Sequence, residues 1–200
     1  FGNVGSYTAI GLNKLGMVCV GLADHTNCLS KDEGFDIESV LKHCEQHKCL
    51  EGYTEENATA ISPKIFFTIE CDVAIPAAKE LVICGGEAHN MNCKVVVEAA
   101  NGPVDIEAEE ILLNKGIHII PDILANSGGV TVSYFEWLQN KRSEYWDESE
   151  TLDKLSKRME KIYTKVSNKM KELNTNNMRS ASYVLAVSKI HESIKNKSMY

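Results

Sequence analysis

Short apolar runs that alternate with helical stretches constrain this chain more than any other feature. "MVCVGLA" (Met17 to Ala23) is β-rich and has no polar side chain. An unbroken run of that kind suits a strand buried on both faces of a parallel sheet, whereas a half-exposed strand would alternate apolar and polar residues. Further short strand signals follow at Ile65 to Thr68, Asp72 to Ile75, Lys94 to Glu98 and Ile117 to Ile120, the last ended by Pro121. Helical stretches lie between them. Val4 to Leu15 has apolar residues at helical spacing and stops at Gly16. Asp36 to Lys48 opens on a residue suited to an N-cap, and Ile106 to Asn114 stops at Gly116. Alternation of this kind predicts an α/β fold with a mostly parallel sheet and helices on both faces.

The pattern changes after about residue 127. Gly128 to Asn140 reads as helix. From Leu152, apolar residues recur at three- and four-residue steps through Leu155, Met159, Ile162, Val166, Met170 and Leu173. That is an amphipathic helix of about seven turns. "LNTNNM" (Leu173 to Met178) is a polar turn, and another helix follows from Arg179 to Lys195. The expected organisation is therefore an α/β domain over 1–140 and a C-terminal helical extension over 141–200.

Bulk properties exclude several classes. The 200 residues are 44% hydrophobic, enough for a real core. The net charge is −7, with no basic stripe, so nucleic acid is not an expected partner. No apolar run reaches membrane-spanning length, and residue 1 does not start a signal peptide. The cysteines number seven and several sit inside apolar runs. That suits reduced thiols in an intracellular protein, cytoplasmic or of the mitochondrial matrix.

The chain opens "FGNVGSYTAIGLNKLG". Gly2 and Gly5 have the spacing of the second and third glycines of a G-x-G-x-x-G phosphate loop, with the first glycine expected before Phe1. A helix N-terminus offers unpaired backbone N–H groups and the positive end of the helix dipole, and glycine lets a pyrophosphate approach the backbone. Asp24 closes the following strand, 22 residues after Gly2. A carboxylate there is placed to grip the adenosine ribose hydroxyls and to repel a 2′-phosphate. Two further loops, "EAANGP" and "IPDILANSGG", leave the ends of strands where ligands bind in this Rossmann-type architecture. Asn101 and Asn126 stand in them, each able to donate and accept toward a carboxamide.

"HCEQHKC" groups His43, Cys44, His47 and Cys49. His43 and His47 have a spacing able to bind zinc on a helix, but Cys49 lies at another angle and no second pair completes a site. The segment reads as a polar helix face, and no metal is expected.

These strings carry a resemblance. "FGNVG", "CDVAIPAA", "EAANGP", "IPDILANSGGVTVSYFEWLQN" and "MRSASYVLAV" resemble, in order and over nearly the whole chain, the glutamate dehydrogenase family of amino-acid dehydrogenases. "GGVTVSYFEW" is the string that looks like glutamate enzymes rather than their leucine, valine or phenylalanine relatives. The resemblance implies the cofactor domain of a longer enzyme that oxidatively deaminates L-glutamate to 2-oxoglutarate and ammonia, using NAD, with NADP the alternative. A hexamer is implied for the intact enzyme. Its catalytic lysine and aspartate would lie in an N-terminal substrate domain, so no catalytic residue is assigned in this chain. Phe1, Gly2, Asn3 and Val4 would wrap the pyrophosphate, Asp24 would hold the ribose, and Ala77 and Ala78 would lie against the cofactor. Asn101 and Asn126 would hold the nicotinamide end, Val130 would face the substrate methylenes, and Ser133 its distal carboxylate. The rival readings are a dehydrogenase for another amino acid and a dinucleotide-binding module without catalysis.

Two departures matter. After the ribose acid the family often has Ser-x-Gly; here the string is "DHTN", with Asn27 in the glycine's place and His25 and Thr26 near where a 2′-phosphate would sit. The long insertion that animal enzymes carry after "SYFEWLQN" is replaced by a short linker, so purine-nucleotide regulation is not implied.

Overall fold

The computed structural model describes residues 1–197. The chain forms two compact units, the first Phe1–His118 and the second beginning at Ile119.

In the first unit, α1 (Asn3–Lys14) leads to a hairpin of β1 (Gly21–Ala23) and β2 (Cys28–Ser30), then α2 (Ile37–His47), β3 (Thr59–Ala60) and α3 (Pro63–Phe66). There follow β4 (Val73–Ala74), α4 (Gly85–Asn90), β5 (Val95–Val97), α5 (Ile106–Asn114) and β6 (His118–Ile120), which crosses the boundary. β1-β2-β3 form one antiparallel sheet, in register Gly21↔Ser30, Leu22↔Leu29 and Ala23↔Cys28. The second sheet has the order β4-β5-β6. β4 and β5 pair in parallel, with Val73 opposite Val95 and Ala74 opposite Val96.

The fold is thus α/β as expected, with two local differences. The run from Met17 pairs antiparallel, and only its last three residues form a strand, because a four-residue turn at 24–27 folds it back on β2. Ile65 to Thr68 is not a strand. Ser62-Pro63 opens the helical turn α3, since proline at the first helical position already has the required φ and lacks only an N–H that would be unpaired there. The Thr68 hydroxyl donates back to the Ile65 carbonyl at 2.7 Å and closes that turn.

Helix starts are written plainly in this unit. Asp36 accepts from the Glu38 and Ser39 N–H groups at 3.0 and 3.2 Å, and Asp105 accepts from Ala108 N–H at 2.6 Å. α2 ends at Lys48 in a left-handed conformation. Ala9, Leu22, Leu29, Phe35, Ile37, Val40, Leu50 and Tyr53 make one core cluster, with Val40 and Leu50 fully buried.

In the second unit α6 (Asp122–Ala125), α7 (Ser127–Arg142), α8 (Glu148–Glu172) and α9 (Met178–Lys197) follow. Their core is Leu124, Val166, Met178 and Ala181, flanked by Ile120, Ile162, Met170 and Leu185. The α8 stripe is therefore packed at its centre, while its ends, Leu152 and Leu173, are exposed. Arg179 donates to Asp122 at 2.7 Å, tying the start of α9 to α6. No described helix is long and apolar enough to cross a membrane.

Candidate functional site

The start of α1 has the features of an anion cradle. Gly2 is its N-cap, in extended conformation, and no side chain caps the helix. No acidic residue lies in the first turn. A helix leaves its first N–H groups without intrahelical acceptors, here those of Asn3, Val4 and Gly5. A Cβ built on Gly2 meets nothing within 4 Å, so the space over these groups is open. A Cβ on Gly5 would stand 3.9 Å from the Ala77 Cβ, an ordinary contact. Gly5 is therefore not forced by crowding, but its position sets Ala77 beside the loop. The backbone nitrogen of Phe1 donates to the Ala23 carbonyl, which fastens the loop to the end of β1.

Asp24 stands at that end. Its Oδ1 accepts from Thr26 N–H at 2.7 Å, the Thr26 hydroxyl at 2.6 Å and Asn27 N–H at 2.9 Å. Its Oδ2 accepts from Leu50 N–H at 2.7 Å. Burial works against the charged form, but the donors from Thr26, Leu50 and Asn27 outweigh it and bring the carboxyl down to about 2. Asn27 does not adopt positive φ. It fills the glycine's place by donating to Asp24 through its backbone and accepting from Cys28 N–H at 2.9 Å through its side chain.

The loops after β4 and β5 are stitched together. Ala100 N–H donates to the Pro76 carbonyl at 2.9 Å, setting the Ala77-Ala78 turn beside the strand-end segment that carries Asn101. Gly102, next in line, has φ +52°. Asn101 itself is exposed.

In the second unit Asn126 ends α6 and opens α7, with φ −91° and ψ 1°. Its side chain makes no capping bond to α7. Val130 is 70% exposed and Ser133 is exposed as well. Three residues apart, they share one side of α7, while Thr131 and Phe135 are the buried residues of that helix. Core packing does not account for Val130. The Ser133 hydroxyl donates to the Gly129 carbonyl at 3.3 Å, a local bond that a ligand could replace.

A family model described as Glutamate/Leucine/Phenylalanine/Valine dehydrogenase matches residues 1–197. The chain belongs to that dehydrogenase family. It is 38% identical over 201 aligned residues to a glutamate dehydrogenase of Thermotoga maritima, covering 100% of this chain and 48% of that protein. Among solved structures it resembles the hetero-hexameric glutamate dehydrogenase of Thermus thermophilus in its leucine-bound form, with TM-score 0.91, 28% identity and coverage of 100% and 46%. It also resembles the glutamate dehydrogenase of Peptoniphilus asaccharolyticus, with TM-score 0.82, 34% identity and the same coverage of each chain. The dehydrogenase chain spans about half the length of these relatives.

Two features of the dehydrogenase chain escape a reading of its sequence. Glu98, at the end of β5 and three residues before Asn101, is completely buried. Its place in "EAANGP" was a signal, but a carboxylate after three valines reads as the solvent end of a strand. The Leu50 N–H that fixes Asp24 comes from 26 residues away, and a backbone donor leaves no mark in sequence. The His43/Cys44/His47/Cys49 group is engaged with carbonyls: His43 Nε2 lies 2.9 Å from Glu51 O, and His47 Nδ1 3.0 Å from His43 O. Cys44 donates to Cys49 O at 3.5 Å and Cys49 to His47 O at 3.4 Å. Among the described residues no group of three or more His, Cys, Asp or Glu is placed to hold a metal.

Proposed function

We propose that this chain is the cofactor-binding part of a glutamate dehydrogenase, which reversibly converts L-glutamate to 2-oxoglutarate and ammonia with NAD as hydride acceptor and NADP as the alternative. The observation that carries the reading is the α1 start: an uncapped, acid-free helix N-terminus, open above Gly2, fastened beside Asp24. Phosphate is stabilised by such N–H groups and by the dipole end. When bound, the nicotinamide accepts the hydride; the protein's part is to bind and orient.

In this reading Phe1 to Val4 hold the pyrophosphate, and Asp24 accepts from the adenosine ribose. Ala77 and Ala78 line the cofactor's path. Asn101 and Asn126 orient the carboxamide, while Val130 and Ser133 face the glutamate side chain. Residues 1–140 serve as the nucleotide domain and 141–200 as the helical extension, of which 198–200 lie outside the described residues. The proton-transfer groups come from a preceding substrate domain, and the working form is a homo-oligomer, a hexamer by family likeness.

The test is L-glutamate-dependent reduction of NAD and NADP by the full-length protein, with L-leucine and L-phenylalanine as controls. Turnover with glutamate and not with the controls supports the reading. Cofactor binding without turnover of any amino acid would reduce it to a binding module.

A further inference from the structure

Thr26 is exposed, polar and in a turn, the kind of residue that would ordinarily be left to solvent. Its bonds are not ordinary. Both of its donors, the backbone N–H at 2.7 Å and the hydroxyl at 2.6 Å, go to the same oxygen, Asp24 Oδ1. Asn27 N–H adds a third donor to that oxygen. A carboxylate offers about four lone-pair sites. Oδ1 is therefore saturated, and Oδ2, which among the described residues takes only the Leu50 N–H, is the oxygen with capacity left. Leu50 is fully buried in the core, so core packing holds the residue that supplies the second anchor.

We infer that Thr26 is a positioning residue for cofactor choice, holding Asp24 so that Oδ2 alone is presented to the adenosine ribose. The inference rests on the ribose-binding reading of Asp24 given above. A hydroxyl has one proton. Thr26 Oγ1 gives its proton to Asp24, so it cannot donate to a 2′-phosphate without releasing the carboxylate. Its backbone N–H is committed in the same way. The residue that sequence alone places near a 2′-phosphate thus works against one, by fixing a negative charge in its way. Valine at position 26 would keep the shape and the backbone N–H and remove only the hydroxyl donor. Because the side chain is exposed, the turn should survive the change.

The experiment is titration calorimetry on the full-length protein with three probes: NAD, NADP, and an NAD analogue whose adenosine ribose lacks its 2′ and 3′ hydroxyls. Thr26→Val is expected to weaken NAD by roughly five- to tenfold, the size of one lost bond to a charged group near solvent. The deoxy analogue should bind the variant as it binds the wild type, and the preference for NAD over NADP should narrow by a similar factor. Thr26→Ser, which restores the hydroxyl, should recover the wild-type pattern. Unchanged NAD affinity in Thr26→Val, or equal weakening of NAD and the deoxy analogue, would overturn the inference while leaving the dinucleotide reading intact. Wild-type protein that binds none of the three would overturn that reading and this inference with it.

Discussion

Helices α2, α5 and α8 begin on Asp36, Asp105 and Asp147, each accepting from the N–H groups of its own first turn and each followed by a glutamate there. Helices α1 and α7 begin on Gly2 and Asn126, with no capping bond from the side chain and no acid in the first turn. The chain closes the first three starts with its own carboxylates. The other two are those assigned to the candidate site. At α1 a capping carboxylate would occupy the N–H groups and set a negative charge where the proposed function places the pyrophosphate. The difference separates starts closed by the chain's own carboxylates from starts left open, as the one-turn α3 also is at Ser62.

The comparison breaks most sharply at Gly2. Its extended backbone suits any residue, and the space above it is open. Gly2→Asp would turn α1 into a helix of the self-capped kind. Thermal stability should hold or rise, while dinucleotide affinity falls by roughly a hundredfold through like-charge repulsion and lost N–H groups. Calorimetric titration beside a melting curve reads both. The converse is Asp36→Ala, expected to lower stability by about 1–2 kcal/mol with cofactor affinity unchanged, as followed by urea unfolding and titration.

Asp24 differs from the capping aspartates in holding a turn. Its folded value lies below the ordinary carboxylate range, so its contribution is complete above that range and is lost as pH falls toward 2. Urea unfolding from pH 6 to 2 should show a loss on the order of 1–2 kcal/mol that is missing in Asp24→Ala. The smallest effect is expected at Ser133. Ser133→Ala should leave stability within about 0.5 kcal/mol and NAD affinity unchanged. The KM for glutamate should rise by roughly three- to tenfold, as measured by initial rates.

The helices were legible because their ends carry chemistry. The helix expected over Ile106 to Asn114, stopping at Gly116, is α5 with those bounds, and the structure adds Asp105 as its cap. The antiparallel sheet was not. β2 and β3 are three and two residues long, too short for any period to show. What folds β1 back is the set of bonds from Thr26, Asn27 and the distant Leu50 to a single carboxylate. Gly2 and Asp24 stood out by spacing alone. Which way Asp24 points, and what holds it, depends on a rotamer and on a backbone donor 26 residues on, neither of which spacing encodes.

The four bonds on Asp24 also limit how this corner can evolve. Asparagine there would keep the size but offer one acceptor and one donor. Turned either way, its NH2 group would meet a donor, from Leu50 on one side or from Thr26 and Asn27 on the other. One mutation would then weaken both the hairpin and the charge that the proposed function sets against a 2′-phosphate. A lineage changing its nicotinamide currency by this route must first acquire another closure for the 24–27 turn, which makes the order of substitutions, and not only their identity, a property of the fold.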